Sequence, residues 1–225
     1  MQLNQSPYTD LDIECWQAHE GEPSERKNYQ MQVARMAQHL SRFELENQKL
    51  AEIAKRADLD GLTGCLNREG WERLAVQEFS RLKRQLDQTT STLLMLDIDR
   101  FKQVNDNYGH AVGDRVLIEF ADICRDVTRT DDLIARWGGE EFVIYLPDTS
   151  VDDAISLCER IRDKVEHHQF NAEGTPINVT VSIGLTQFKK NETTIDPMIK
   201  RADEAMYKAK QSGRNRLELA LGSVI

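Results

Sequence analysis

A chain of 225 residues with 40% hydrophobic content can bury one core of ordinary domain size and carry an extension beside it. Its net charge of −9 argues against a general nucleic-acid binder, which presents a basic footprint, so no DNA or RNA partner is expected. It contains no apolar run long enough for a membrane span, its first residues are polar and acidic rather than leader-like, and Cys15, Cys65, Cys124 and Cys158 lack metal-ligand spacing. These features point to reduced thiols and a cytoplasmic location.

In chain order, residues 1–24 read as a polar tail or linker broken by Pro7, Gly21 and Pro23. Over 25–57, Tyr29, Val33, Met36, Leu40, Phe43, Asn47, Leu50, Ala54 and Ala57 step by four and three residues. That is a heptad seam, and it predicts a coiled coil and hence a homodimer. Asn47 falls at an a position, where one polar residue tends to fix register in a two-stranded coil. The alternative is an amphipathic helix lying on its own globular domain.

The domain proper is expected over 58–219. A Gly-rich connector from Asp58 to Asn67 leads to a helix from Arg68 to about Leu86. Ser91 to Leu96 is apolar and reads as a buried strand ending in Asp97-Ile98-Asp99. A helix or turn opens after Asp99, and helical periodicity resumes from about Val112 to Val127. Leu133–Arg136 and Glu141–Leu146 flank Gly138-Gly139, which predicts a tight hairpin whose glycines take positive φ. Val151 to His168 is helical, Asn178 to Leu185 is a strand, Ile195 to Lys210 is the last helix, and a short strand follows from Arg216 to Leu219. This order predicts an α+β fold with one mostly antiparallel central sheet flanked by helices.

The chemistry concentrates in Arg136-Trp137-Gly138-Gly139-Glu140-Glu141-Phe142. Glycines without side chains let a ligand lie against the backbone, and adjacent carboxylates can hold a divalent cation. Alone, the run reads equally as an exposed hairpin with solvated acids. Asp97, at a strand end, is either a metal ligand or a helix cap. With Glu140 and Glu141 it would form a carboxylate cluster that a cation neutralises, and hard oxygen donors suit Mg²⁺ or Mn²⁺. After Asp99, free backbone N–H groups and Lys102 offer an anion site. Asn105 and Asp114 have the donor and acceptor atoms to read a base edge. Lys208, Lys210, Arg214 and Arg216 are either a solvated basic helix end or a triphosphate grip.

Taken together, these segments resemble the GGDEF family, the diguanylate cyclases that make cyclic di-GMP from two GTP. The matching residues are Asp60-Gly61-Leu62-Thr63 with Asn67-Arg68, Asp97-Ile98-Asp99 with Phe101-Lys102 and Asn105, Gly109-His110 with Gly113-Asp114, Gly138 to Phe142, Ser182-Ile183-Gly184, and Ala202-Asp203 through Gly213-Arg214-Asn215. Glu140 stands where the family name has Asp, and both are carboxylates.

The resemblance implies a fold like the nucleotidyl-cyclase core and the polymerase palm. It implies that Asp97, the Ile98 carbonyl, Glu140 and Glu141 bind two Mg²⁺ per active site. Glu140, Glu141 and Lys102 would be catalytic. Asn105 and Asp114 would read guanine beside Leu117, and His110 would support that loop. The backbone around Phe101, with Lys210 and Arg214, would hold the β- and γ-phosphates, and Gly139 would let the nucleotide pass over the hairpin. Arg129 and Asp132, with Arg160, would form a site at which cyclic di-GMP inhibits its own synthesis. Two rivals remain at this point: a nucleotide-sensing domain without turnover, and a dimerisation scaffold.

Overall fold

The computed structural model describes residues 23–84 and 90–220. Most of the expected polar tail, with Cys15, lies outside the described residues. The chain divides into two compact units after Ala54. Helix α1 (Pro23–Ala57) starts slightly earlier than its periodicity suggests, with Pro23 at a position where a missing N–H costs nothing. Within it, Tyr29, Met36, Leu40 and Phe43 of the heptad seam are 53%, 69%, 55% and 62% exposed. No helix among the described residues is long and apolar enough to cross a membrane.

The second unit runs α2 (Arg68–Arg84), β1 (Thr92–Ile98), α3 (Phe101–Tyr108), α4 (His110–Val127), β2 (Leu133–Arg136), β3 (Glu141–Leu146), α5 (Val151–His167), β4 (Phe170–Ala172), β5 (Thr175–Ile177), β6 (Val181–Gln187), α6 (Asp196–Gln211) and β7 (Leu217–Leu219). The main sheet has strand order β2-β3-β1-β6-β7. All its pairings are antiparallel except β6 with β7. This is the α+β arrangement expected from the sequence.

Alternation along the strands sorts the core into two layers. Leu94, Leu96 and Ile98 of β1 join Phe120, Cys124, Cys158 and Ile161 beneath α4 and α5. Leu93 and Met95 join Trp71, Phe79, Met198 and Met206 beneath α2 and α6. Asp97 continues the second set, so it projects from the α2/α6 face of the sheet. Gly184 lets α6 press onto β6, because a Cβ there would lie 2.0 Å from the Ala202 carbonyl oxygen and 2.2 Å from the Met206 nitrogen.

Three expectations need correction. Gly138 and Gly139 do not take positive φ. The connection from Arg136 to Glu141 is longer than a two-residue turn, with the Trp137 and Gly138 N–H groups both donating to the Glu141 carbonyl, and it needs no mirror-image turn. A turn of left-handed residues occurs instead at Glu173 (φ 50) and Gly174 (φ 95), inside the small β4–β5 hairpin, which was not anticipated. Finally, β1 does not stop before Asp97. It runs through Ile98, so Asp97 is a ladder residue and not a helix cap; residue 100 caps α3.

Candidate active site

The pairing of β1 with its neighbours sets the centre of the site. Asp97 lies opposite Glu141 on β3 and Ser182 on β6. The Ile98 N–H donates to the Glu140 carbonyl at 3.3 Å, which ties the loop after β2 to the end of β1. Asp97 is buried, and Lys210 from the last turn of α6 places Nζ 2.6 Å from its Oδ2. Burial pushes the Asp97 carboxyl up to about 6, against the pull of Lys210 and helped by the charges of Glu140 and Glu141. Asp97 thus feels the negative charge of both glutamates, with Lys210 set against it. The Glu141 carboxylate rests on Gly138, where a Cβ would meet its Oε2 at 2.7 Å.

The donor set fits a hard divalent cation: carboxylates with a main-chain carbonyl beside them. Among the described residues, no three His, Cys, Asp or Glu side chains converge closely enough to hold an ion by themselves. Mg²⁺ commonly takes one or two carboxylates and completes its shell with phosphate oxygens and water, so this arrangement fits an ion that arrives with a nucleotide.

The end of β1 also organises the neighbouring loops. Asp99 is buried and accepts from Thr180 Oγ1 and Ser182 Oγ, each at 2.7 Å, and from the Asn215 N–H at 3.0 Å. It thereby anchors the turn Gly213-Arg214-Asn215, whose φ angles of 119°, 66° and 46° are all left-handed. Opposite this turn, Arg100 caps α3 at φ 56 with no side-chain cap on the first-turn amides of Phe101 and Lys102. Arg100, Gln103, Asn178, Arg214 and Asn215 line a cavity of about 470 Å³ between them. The Asn215 Oδ1 is buried there without a hydrogen-bond partner. Lys102 is exposed on α3, so its ammonium is free to reach a bound anion.

The residues expected to read a base lie where α3 meets α4. A Cβ on Gly113 would stand 1.9 Å from the Asn105 Oδ1 and 3.2 Å from the Phe101 ring, so the absent side chain is what seats the Asn105 amide against α4. Asp114 and His110 are exposed on the same helix, and Leu117 is buried behind them. Gly109 (φ 83) makes the break between the two helices.

Arg129 and Asp132 meet in a separate corner. The Arg129 N–H donates to Asp132 Oδ2 at 2.7 Å, and the Asp132 N–H returns to the Arg129 carbonyl at 3.2 Å. Burial pushes the Asp132 carboxyl up, and the Arg129 amide and charge pull against it. Arg160 Nη2 donates to the Val127 carbonyl at 3.1 Å, which brings the third expected residue to the end of α4. A cavity of about 460 Å³ opens here, lined by Gly64, Cys65, Arg125, Arg129 and Asp132.

Residues 57–216 match the family described as diguanylate cyclase, GGDEF domain. The chain belongs to the GGDEF family. It is 41% identical over 203 residues to the diguanylate cyclase DgcP of Pseudomonas aeruginosa, a match covering 90% of this chain and 29% of DgcP. The chain spans about a third of the length of the curated relatives it matches. The crystal structure of the coiled coil and GGDEF domain of DgcB from Caulobacter crescentus in complex with c-di-GMP has TM-score 0.76 and 30% identity, covering 84% of this chain and 98% of that one. The active GGEEF domain of a diguanylate cyclase from Vibrio cholerae has TM-score 0.65 and 33% identity, covering 71% and 99%. Its motif has the same spelling as Gly138 to Phe142 of this GGDEF chain.

Two contributors to the GGDEF loop were not assigned from the sequence. Arg136 donates to the Gly139 carbonyl through Nε at 3.1 Å and Nη2 at 2.8 Å, and its Nη1 reaches Asp60 at 3.3 Å. Asp60 also accepts from the Thr63 N–H and hydroxyl at 2.9 and 2.7 Å. The Asp-x-x-Thr spacing is the visible signal, because an Asp commonly accepts from backbone a few residues on. The role of Asp99 had no comparable local signal, since its partners come from distant strands and loops.

Proposed function

We propose that this chain is a diguanylate cyclase that condenses two GTP into cyclic di-GMP and two pyrophosphates. The observation that carries the reading is the register placing Asp97 beside Glu141, with Glu140 bonded to the same strand end and Lys210 against the cluster, in a member of the GGDEF family.

Asn105 and Asp114 hold the guanine edge, with the Asn105 side chain seated over Gly113 and Leu117 buried behind them. His110 supports the loop from the start of α4. The first-turn amides of α3 around Phe101, with Lys210 and Arg214, hold the β- and γ-phosphates. The open space over Gly139, where a Cβ would meet nothing within 4 Å, leaves a path for the nucleotide across the loop. Asp97, the Ile98 carbonyl, Glu140 and Glu141 would hold two Mg²⁺ or Mn²⁺ ions, and that pair would supply polarisation of the α-phosphate and a lower pKa for the attacking hydroxyl.

In each condensation the 3′-oxygen of one GTP forms a bond to the α-phosphorus of the other. The bond from that phosphorus to the bridging oxygen breaks, and pyrophosphate leaves with the electron pair. Glu140 is the candidate acceptor of the hydroxyl proton, and Lys102 stabilises charge at the reacting phosphate. Repeating the step with the roles reversed closes the ring. One domain binds one GTP and so supplies half of a site. The heptad seam of α1 supports a homodimer, which raises the effective concentration of the second half. Arg129, Asp132 and Arg160 form the proposed product-inhibition site. Arg129→Ala is expected to leave initial turnover unchanged and to relieve inhibition by added cyclic di-GMP; inhibition equal to wild type rejects that assignment.

The test of the activity is nucleotide analysis by chromatography and mass spectrometry. Protein stripped of nucleotide is incubated with GTP and Mg²⁺ beside a Glu140→Gln control. Cyclic di-GMP from the wild type alone supports the reading, and bound GTP with no product contradicts it.

A further inference from the structure

The α1–α2 connector touches the catalytic loop at a second place, away from the Asp60–Arg136 pair. The Arg68 guanidinium carbon lies 4.4 Å from the centre of the Trp137 ring. Trp137 is the first residue of the loop, and its ring also meets that of Trp71 in an edge-to-face arrangement at 5.3 Å and 82°. Trp71 is fully buried, and its Nε1 donates to the Leu133 carbonyl of β2 at 3.3 Å. The Trp137 ring thus contacts both a buried indole and a cation carried by the first residue of α2.

What Trp137 fixes is the backbone beneath the carboxylates. Its N–H donates to the Glu141 carbonyl at 2.7 Å, and the Gly138 N–H shares that acceptor at 3.3 Å. The Glu141 carboxylate rests on Gly138. The next carbonyl, that of Gly139, is gripped by Arg136. The connector and the start of α2 thus brace the loop twice, Arg68 stacking on Trp137 and Asp60 pairing with Arg136. It also runs along the outer edge of β2, with the Leu66 N–H donating to the Ile134 carbonyl at 3.0 Å and the Arg136 N–H donating to the Leu66 carbonyl at 2.9 Å. Asn67, the neighbour of Arg68, donates to the Ala57 carbonyl at 2.6 Å and accepts from the Gly70 N–H at 2.9 Å, which fixes where Arg68 starts.

We propose that Arg68 is a positioning residue for the reaction: by stacking on Trp137 it holds the loop carrying Glu140 and Glu141 in its reactive place. It touches no substrate in this account, and the proposal rests on the cyclase reading above. A cation over an indole face is attracted by the ring quadrupole, and Trp is the best such face. Arg68 also pairs with Glu72, at 2.9 Å across one helical turn.

The experiment compares Arg68→Ala, Trp137→Phe, Glu72→Ala and the double variant Arg68→Ala with Trp137→Phe, by steady-state kinetics and by amide exchange of residues 137–141. Arg68→Ala is expected to lower kcat about tenfold with the KM for GTP within about twofold, because a small misplacement of catalytic groups costs rate rather than binding. Exchange at the Trp137 and Gly138 amides should quicken about threefold. Glu72→Ala should change neither. The double variant should lose less than the product of the single effects, because the pair acts as a unit. Unchanged loop exchange in Arg68→Ala overturns the proposal whatever the enzyme makes. Faster exchange with unchanged kcat also overturns it, as does a rise in KM alone or an equal loss in Glu72→Ala. A wild type that makes no cyclic di-GMP refutes the cyclase reading instead, while the exchange arm still decides whether Arg68 braces the loop.

Discussion

Single charged residues near this site do unequal work. Asp60 is only partly buried, yet it is satisfied from three directions, by the Thr63 N–H, the Thr63 hydroxyl and the Arg136 guanidinium. Burial alone would raise its carboxyl, but these partners outweigh it and hold the group below the ordinary carboxylate range. A depressed folded-state value stabilises the fold above the unfolded value, near 4, and that contribution fades as pH falls through the lower folded value. Asp60→Asn should therefore cost about 1–2 kcal/mol in urea unfolding at pH 7, and the gap to wild type should narrow as pH falls below about 4. A gap that does not change with pH would mean the charge is not what matters. Of the side chains assigned to the proposed site, Asp97, Asn105, Asp114, Glu140, Glu141, Lys210 and Arg214 were all visible as residue types in suggestive places. Asp99 was not legible in the same way. Its acceptors serve Thr180, Ser182 and Asn215, at separations of 81, 83 and 116 residues, and only strand register brings those together.

At the scale of elements, two glycines decide how helices meet the site. Gly184 is where α6 lies against β6, and a methyl group there would strike backbone atoms of Ala202 and Met206. Gly184→Ala should destabilise the domain by about 1–3 kcal/mol and move Lys210, so both the thermal midpoint and the turnover should fall. A variant with wild-type stability would show that α6 can shift freely. Gly113 differs in kind, because the added methyl meets the end of the Asn105 side chain rather than backbone. Gly113→Ala should leave the thermal midpoint nearly unchanged while raising the KM for GTP about tenfold, as expected when a binding contact is lost. Equal loss in kcat and none in KM would place Asn105 elsewhere in the reaction. The long periodic helices and the apolar strands were legible because burial of one face leaves a period in the sequence. The strand expected over Asn178–Leu185 instead forms over Val181–Gln187, where residues 181–186 are all buried. A central strand covered on both faces has no alternation to mark its ends. The β4–β5 hairpin was missed because strands of three residues carry no readable period.

At the scale of the whole molecule, the account requires two copies. In the proposed reaction the second unit would offer one set of carboxylates, one base-reading pair and one phosphate grip, whereas the proposed product joins two nucleotides. Along α1 the exposed Leu40 and Phe43 are a seam that a second helix would cover. Replacing both with glutamate should shift the dissociation of the dimer to higher protein concentration by at least about tenfold, read by sedimentation, and lower the activity per chain at nanomolar protein. Unchanged sedimentation would assign the dimer contact to another surface. The measurement that tests the central claim most directly is the initial rate of cyclic di-GMP formation from GTP and Mg²⁺, taken per chain over a wide range of protein concentration, for the wild type and for Glu140→Gln. The account predicts product from the wild type alone, at a rate per chain that falls on dilution as half-sites separate. Absence of product from the wild type, or equal product from Glu140→Gln, would contradict it.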